Sequence, residues 1–307
     1  MMKVLITGGA GYIGTELVKA LNKVSGISEI IVYDNLWKDN YNLFTHSNIK
    51  NGKVKFIRAE ILDSRQLKKA LKDVDIVYHL AAHVDSKLIN ANHHLYEQIN
   101  NWGTAELTYA IEESSVKKVI NASSIAVYGN ASQTIDSVEN PNPKTYYGTS
   151  KLRGEEHMIR LQEKFNVYNL RIGNVYGYGT SMRMDTFINQ FVFGAAFENR
   201  IKILGEGEQK RGLIQINNLI DILVGIIDTD LKPDTYNVVE NSYSILEIAD
   251  VLKSIIPEME MLFVNQHLQL RNIDIAPNKE INRLIKTKRT SIKKEFEIFL
   301  NHLFLSE

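Results

Sequence analysis

The chain has 307 residues, its 36 Lys and Arg are balanced by 36 Asp and Glu, and it contains no cysteine. Zero formal charge argues against a general nucleic-acid binder, which carries a basic excess, and the missing cysteine excludes disulfides, thiolate nucleophiles and Cys-ligated zinc. No apolar run approaches the roughly 18 residues of a membrane helix, and Met1–Ile6 is too short for a signal-peptide core, so one large or two modest domains in the cytoplasm are expected.

The first half alternates short β-branched runs with helical stretches. Candidate strands are Lys3–Thr7, Glu29–Tyr33, Val54–Arg58, Ile76–His79, Lys118–Ala122 and Val167–Arg171. They are nearly all apolar, as parallel strands buried on both faces must be. Between them, Ile13, Leu17, Val18 and Leu21 share one helical stripe, as do Leu67, Ala70 and Leu71. Such alternation means βαβ units and a doubly wound sheet. After Arg171 the rhythm changes. The stretch 174–185 reads as a loop and Phe187–Asn199 as a helix, and Ile201–Leu204 leads into a Gly205-Glu206-Gly207 turn. Leu213–Ile216 and Thr235–Val239 read as strands, and Ser244–Ile255 and Ile292–Leu303 as helices.

The first strand runs directly into Gly8-Gly9-Ala10-Gly11-Tyr12-Ile13-Gly14 and then a helix. Gly8, Gly11 and Gly14 let the backbone turn tightly, approach a pyrophosphate and pack helix against strand. The helix start then offers unpaired N–H groups to the phosphates. Asp34 ends the next strand, 20 residues after Gly14, where a carboxylate binds a ribose 2′-hydroxyl and repels a 2′-phosphate. This favours NAD over NADP. The fold class expected is therefore α/β. A Rossmann-type doubly wound parallel sheet spans residues 1–172, joined by a returning segment near 213–240, and a smaller α+β substrate lobe spans 173–307.

Tyr147-Gly148-Thr149-Ser150-Lys151 puts a phenol and an ammonium four residues apart, on one face of a helix. A free tyrosine, with a pKa near 10, is a poor base at neutral pH. A nearby positive charge favours the phenolate, which then takes a hydroxyl proton as hydride leaves the same carbon. Upstream, Ser124 follows the strand Lys118–Ala122, at the end of a parallel strand where ligands bind. It is placed to bond the reacting oxygen; paired serines also simply cap strand ends. The histidines 79, 83, 93 and 94 do not have the spacing of a metal site, and no metal is expected.

Eight segments in order carry a family resemblance: Thr7–Gly14, Tyr33–Leu36, His79–Ala82, Asn100–Thr104, Ser123–Gly129, Tyr147–Lys151, Arg171–Gly177 and Arg211–Asp221. Together they resemble the extended short-chain dehydrogenase/reductase superfamily, in its NAD-dependent sugar epimerase/dehydratase branch. The resemblance implies that the glycine loop, with Tyr12 and Ile13, holds the NAD pyrophosphate and that Asp34 holds the adenosine ribose. Asn35, Glu60, Ile61 and Asn100 fall in segments bordering the cofactor, and Ala81 and Ala82 line the path to the nicotinamide. Ser124, Tyr147 and Lys151 match the catalytic set. Asn174, Arg211 and, by a looser match, Arg271 face the substrate diphosphate.

Two departures narrow the expectation. Relatives that dehydrate carry an Asp-Glu pair after the catalytic Ser/Thr, where this chain has Ile125-Ala126. The loop Ser181-Met182-Arg183-Met184-Asp185 lacks the usual prolines, and Arg211-Gly212-Leu213 lacks the usual Asp after its arginine. The resemblance thus implies oxidation at a sugar hydroxyl of a nucleotide-diphosphate sugar, foremost as a 4-epimerase. A 4-dehydrogenase or ketosugar reductase, and a non-catalytic NAD-binding regulator, are the alternatives. It also implies a homodimer formed through the helices over Asn100–Glu112 and Tyr147–Phe165. The basic cluster at Lys286–Arg289 and Lys293–Lys294 reads as a solvated face.

Overall fold

The computed structural model describes residues 1–45, 52–84, 92–265, 270–287 and 290–304; Lys288 and Arg289 of the basic cluster lie outside them. In the first half, β1 (Met2–Thr7), α1 (Tyr12–Asn22), β2 (Ile27–Asp34), α2 (Asn42–Thr45), β3 (Val54–Arg58), α3 (Ser64–Ala70) and β4 (Ile76–His79) alternate. A short α4 (His93–Leu95) runs through a π-helical turn, Tyr96–Trp102, into α5 (Gly103–Glu112). Then come β5 (Lys118–Ser124), α6 (Tyr146–Leu161), β6 (Asn166–Ile172) and β7 (Asn174–Tyr176). The second half holds α7 (Phe187–Phe193), β8 (Arg200–Leu204), β9 (Lys210–Gln215), α8 (Ile216–Gly225), β10 (Thr235–Val238) and β11 (Asn241–Ser244). It ends with α9 (Ile245–Ile255), β12 (Glu260–Val264), α10 (Lys279–Asn282) and α11 (Ile292–Leu303).

Seven strands form one parallel sheet in the order β10-β6-β5-β4-β1-β2-β3. Alternation along β1 shows why it is wound on both faces. Val4 and Ile6 pack with Leu17 and Leu219 from α1 and α8, whereas Leu5 packs with Leu67, Leu107 and Met158 from α3, α5 and α6. A strand whose alternate side chains enter two cores has to be apolar throughout, which is what made it legible. The strand order reverses beside β1, between β2 and β4, so a crevice opens at the carboxyl ends of these strands.

The remaining strands make a sheet in the order β11-β9-β7 and a parallel pair, β12-β8, packed around Ile188, Val192, Ile248 and Phe296. Three elements differ from the sequence reading. Asn174–Tyr176, expected as loop, is a strand because it pairs with β9. The strand read as Leu213–Ile216 starts at Lys210, and Ile216 already opens α8, whose start is capped by the Gln215 side chain. The helix over 187–199 is α-helical only to Phe193; it widens into a π-helical turn, Gly194–Glu198, and stops at Asn199 in the left-handed region. Of the segment expected to return to the large sheet, β10 does so beside β6, while β9 is the middle strand of the small one. Among the described residues, no helix is long and apolar enough to cross a membrane.

Candidate active site

The crevice starts with the loop after β1. Gly8 has φ +72°, and a Cβ there would lie 2.6 Å from the backbone nitrogen of Ala81, so the β1 and β4 loops touch through it. A Cβ on Gly14 would lie 2.5 Å from the Gly8 carbonyl, whereas one on Gly11 would meet only that carbonyl, at 3.3 Å. The loop is therefore packed tight on its inner side and open outside, where the first turn of α1 presents its N–H groups. Asp34 is held beside it: Oδ2 accepts from Ala10 N at 3.0 Å and Oδ1 from Leu36 N at 2.8 Å. Burial raises its carboxyl pKa, and those two N–H bonds work against the rise. A backbone cradle with a fixed carboxylate beside it fits a dinucleotide carrying a free 2′-hydroxyl.

The other cofactor candidates divide. Asn35 donates to Glu60 at 2.9 Å and Ile61 is buried against Gly103, so this wall is preformed. The Tyr12 phenol is engaged elsewhere, donating to the Gly177 carbonyl, and the partly buried Ile13 packs against the core. Asn100 is buried and braces the loop after Ala81 and Ala82: it accepts from His83 N at 2.7 Å and donates to the His83 carbonyl and the Ser150 hydroxyl, both at 3.0 Å. The π-helical turn, the kind of irregularity that collects at functional sites, carries Asn100.

Behind this loop, His79 bridges Thr7, at 2.8 Å from Nδ1, and Thr104, at 2.9 Å from Nε2. Thr104 donates its own proton to the Asn100 carbonyl at 2.6 Å, so it accepts from His79, which fixes the Nε2–H tautomer. Burial, and secondarily the Lys151 charge, lower the His79 pKa to about 3. It stays neutral.

Ser124, at the end of β5, meets Tyr147 on α6, with Lys151 one turn further along that helix, which is capped by Thr145 accepting from Gly148 N at 3.0 Å. The Tyr147 phenol is raised by burial, drawn back by a hydrogen bond from Ser124 and by the Arg183 charge, and flanked by the Tyr96 ring at 6.0 Å. Lys151 is buried and its pKa falls to about 8. The lysine thus gives up its proton before the phenol does, and a phenolate at neutral pH calls for positive charge beyond Lys151. Arg183 is one such charge. Its guanidinium is gripped by Asp185 at 2.8 and 2.6 Å, and its carbonyl accepts from Asn189 at 2.8 Å. Sequence reasoning marked its loop as unusual but did not bring Arg183 to the phenol; an arginine in a loop between two lobes was the available signal.

In the small sheet, Asn174 donates to the Gly212 carbonyl at 3.0 Å. Arg211 bonds the Arg271 carbonyl, and its pKa drops to about 10 through burial and the Arg271 charge. Arg271 is lowered too, by burial. Among the described residues neither guanidinium has an ion-pair partner. Two desolvated cations side by side form a seat for an anion.

A family model described as the NAD-dependent epimerase/dehydratase family matches residues 4–238. The dTDP-D-glucose 4,6-dehydratase of Homo sapiens is 30% identical over 269 residues, 83% of this chain and 74% of that protein. A putative UDP-glucose 4-epimerase of Methanocaldococcus jannaschii is 28% identical over 257 residues, 81% of each chain. Among solved structures, the UDP-glucuronic acid 4-epimerase of Bacillus cereus, in complex with UDP-glucuronic acid and NAD, superposes with a TM-score of 0.86 at 26% identity, covering 99% of this chain and 100% of the other.

Proposed function

The chain belongs to the NAD-dependent epimerase/dehydratase family, and from that premise we propose that it is a nucleotide-diphosphate-sugar 4-epimerase, with Ser124, Tyr147 and Lys151 as its proton-handling set. The observation that carries the choice of reaction is Ile125. Where relatives that dehydrate carry an acid, this chain buries an isoleucine against Val127, Val239 and Ile273. A 4,6-elimination needs an acid there to protonate the leaving hydroxyl, and an isoleucine has no proton to give.

The rest of the site supports the same reading. The glycine loop and Asp34 would hold NAD, which would supply a reversible hydride acceptor. Tyr147 removes the proton of the C4 hydroxyl, with Ser124 aligning the oxygen and Lys151 and Arg183 favouring the phenolate. Arg211, Arg271 and Asn174 hold the diphosphate, so the 4-keto sugar turns about that anchor. Tyr147 would then return the proton to the C4 oxygen, with the opposite face of C4 turned toward the cofactor, so that no net oxidation results.

The test is incubation of the purified protein, with and without added NAD, with UDP-, GDP- and dTDP-sugars. Product stereochemistry and near-UV absorbance are followed. An inverted C4 centre without lasting absorbance of reduced cofactor is expected. A 4-keto product with stoichiometric reduced cofactor would identify a dehydrogenase instead, and no turnover with any sugar would favour a regulator.

We also infer a homodimer built on α5 and α6. Support comes from Tyr109 and Ile159, both about half exposed on these helices, and from Trp102 just before α5, 59% exposed. Analytical ultracentrifugation is expected to give twice the chain mass; a monomer at all concentrations would overturn it.

A further inference from the structure

Arg211 and Arg271 come from separate pieces of chain, and the residue that joins those pieces is bonded more fully than either arginine. Arg211 lies on β9, and Arg271 opens an extended segment that bridges back to Arg211 through Ile273. Among the described residues, Arg271 is hydrogen-bonded only through its carbonyl, which accepts from Arg211. Its neighbour Asn272 is held on two sides. Toward β9, Asn272 Oδ1 accepts from Lys210 N at 2.8 Å, and the Lys210 carbonyl accepts from Ile273 N at 3.1 Å. Toward the loop that follows Gly129, Asn272 Nδ2 donates to the Ala131 carbonyl at 3.0 Å and the Asn272 carbonyl accepts from Ala131 N at 2.8 Å. Asn272 N also donates to Asn130 Oδ1 at 2.6 Å.

Asparagine side chains usually bond the backbone of their own turn. Here the two side-chain partners are 62 and 141 residues away. One amide therefore links the residue before Arg211, the residue after Arg271 and the loop that leaves β5. An amide has both the acceptor and the donor that these links require, and it carries no charge. An aspartate at this position would lose the donor and set a carboxylate next to the two guanidinium groups. The segment itself has other anchors. Asp274 accepts from Lys210 Nζ at 3.1 Å and from the Thr134 hydroxyl at 2.9 Å. What Asn272 adds is a fixed point directly beside Arg271.

We propose that Asn272 is a positioning residue for the substrate diphosphate, setting Arg271 beside Arg211 and tying both to the loop that follows Ser124. The proposal rests on reading the two arginines as the diphosphate seat.

The test is calorimetric titration of the full chain with UDP and, separately, with NAD. Wild type, Asn272→Ala, Arg271→Met and the double variant are compared. Asn272→Ala is expected to weaken UDP binding by about fivefold or more, with NAD affinity close to wild type. In the Arg271→Met background the same substitution should cost clearly less, because no guanidinium is left there to place. Equal losses in the two backgrounds would mean that Asn272 merely supports the fold, and would overturn the proposal. So would wild-type UDP affinity in Asn272→Ala. Should Asn272→Ala fail to fold, Asn130→Ala, at an exposed position, removes the acceptor of Asn272 N and carries the same expectations. Arg271→Met alone tests the underlying reading: unchanged UDP affinity there would sink the diphosphate seat, and the proposal with it.

Discussion

The phenol of Tyr12, at the start of α1, donates to the carbonyl of Gly177, 165 residues further on. The same loop is tied to α1 by Thr15 with Ser181 at 2.9 Å, by Thr180 N donating to Glu16 at 2.8 Å, and by Lys19 donating to Thr180. The helix that follows the glycine loop and the segment that carries Arg183 are thereby one unit. Removing the Tyr12 donor in Tyr12→Phe leaves a buried carbonyl unpaired, at a cost of about 1–3 kcal/mol. A lower melting temperature and a raised KM for the nucleotide sugar are expected. Wild-type melting would show that the loop holds without this bond.

Tyr147→Phe deletes the proposed proton acceptor and keeps the ring that meets Tyr96. Turnover is expected to fall by about 10²- to 10⁴-fold or more, with NAD affinity, measured by calorimetry, close to wild type. A variant that still turns over freely would move the base elsewhere. Ser124→Ala should give a smaller loss, because it removes a hydrogen bond that draws the phenol pKa down and leaves the Arg183 charge in place.

The parts that were legible in the sequence are those governed by local rules. The inner strands β1, β2 and β4 announce themselves because they must be largely apolar on both faces, and Gly8, Gly11, Gly14 and Asp34 because a backbone cradle and a fixed carboxylate allow few other residues. β7 was hidden, since three residues of Asn-Val-Tyr have no pattern of their own and become a strand only by pairing with β9. The π-helical turn at Tyr96–Trp102 was equally hidden, since a lengthened hydrogen-bond register has no composition. The buried ion pair of Arg171 and Glu155 had a signal that went unread. An arginine within an otherwise apolar strand must be buried with a counter-charge, and Glu155 stands one helical turn beyond Lys151.

The His79 relay makes the fold sensitive to acid. Folded His79 titrates near 3 against 6.5 for a free imidazole, so between those values the unfolded chain binds a proton that the folded chain refuses. Its stabilising contribution is fully present above pH 6.5 and is lost as pH falls toward 3. Between pH 6.5 and 5, above the ordinary carboxylate range, denaturant titrations are expected to show a loss of about 1.4 kcal/mol per pH unit from this group. His79→Gln should flatten that slope. An unchanged slope would mean that His79 is protonated in the folded chain.

In the proposed reaction Arg211 and Arg271 bear most directly on the substrate. Burial and mutual repulsion lower the Arg211 guanidinium to about 10, so an anion placed between the two relieves a penalty already present in the folded chain. UDP, which carries the diphosphate without the sugar, is therefore expected to raise the melting temperature. The increment should shrink as salt rises, though less than for an exposed pair, because buried charges are less screened. Arg211→Met removes the repulsion and the anchor together. It should lose the UDP-dependent increment, measured against its own ligand-free melting temperature, and show a KM for the nucleotide sugar raised by about tenfold or more, since a hydrogen bond to a charged group contributes about 1.5–3 kcal/mol. Because the anchor grips substrate and transition state alike, kcat should change far less than KM. If UDP stabilised Arg211→Met as strongly as wild type, the diphosphate would have to sit elsewhere in the crevice, and the sugar could not turn about this pair.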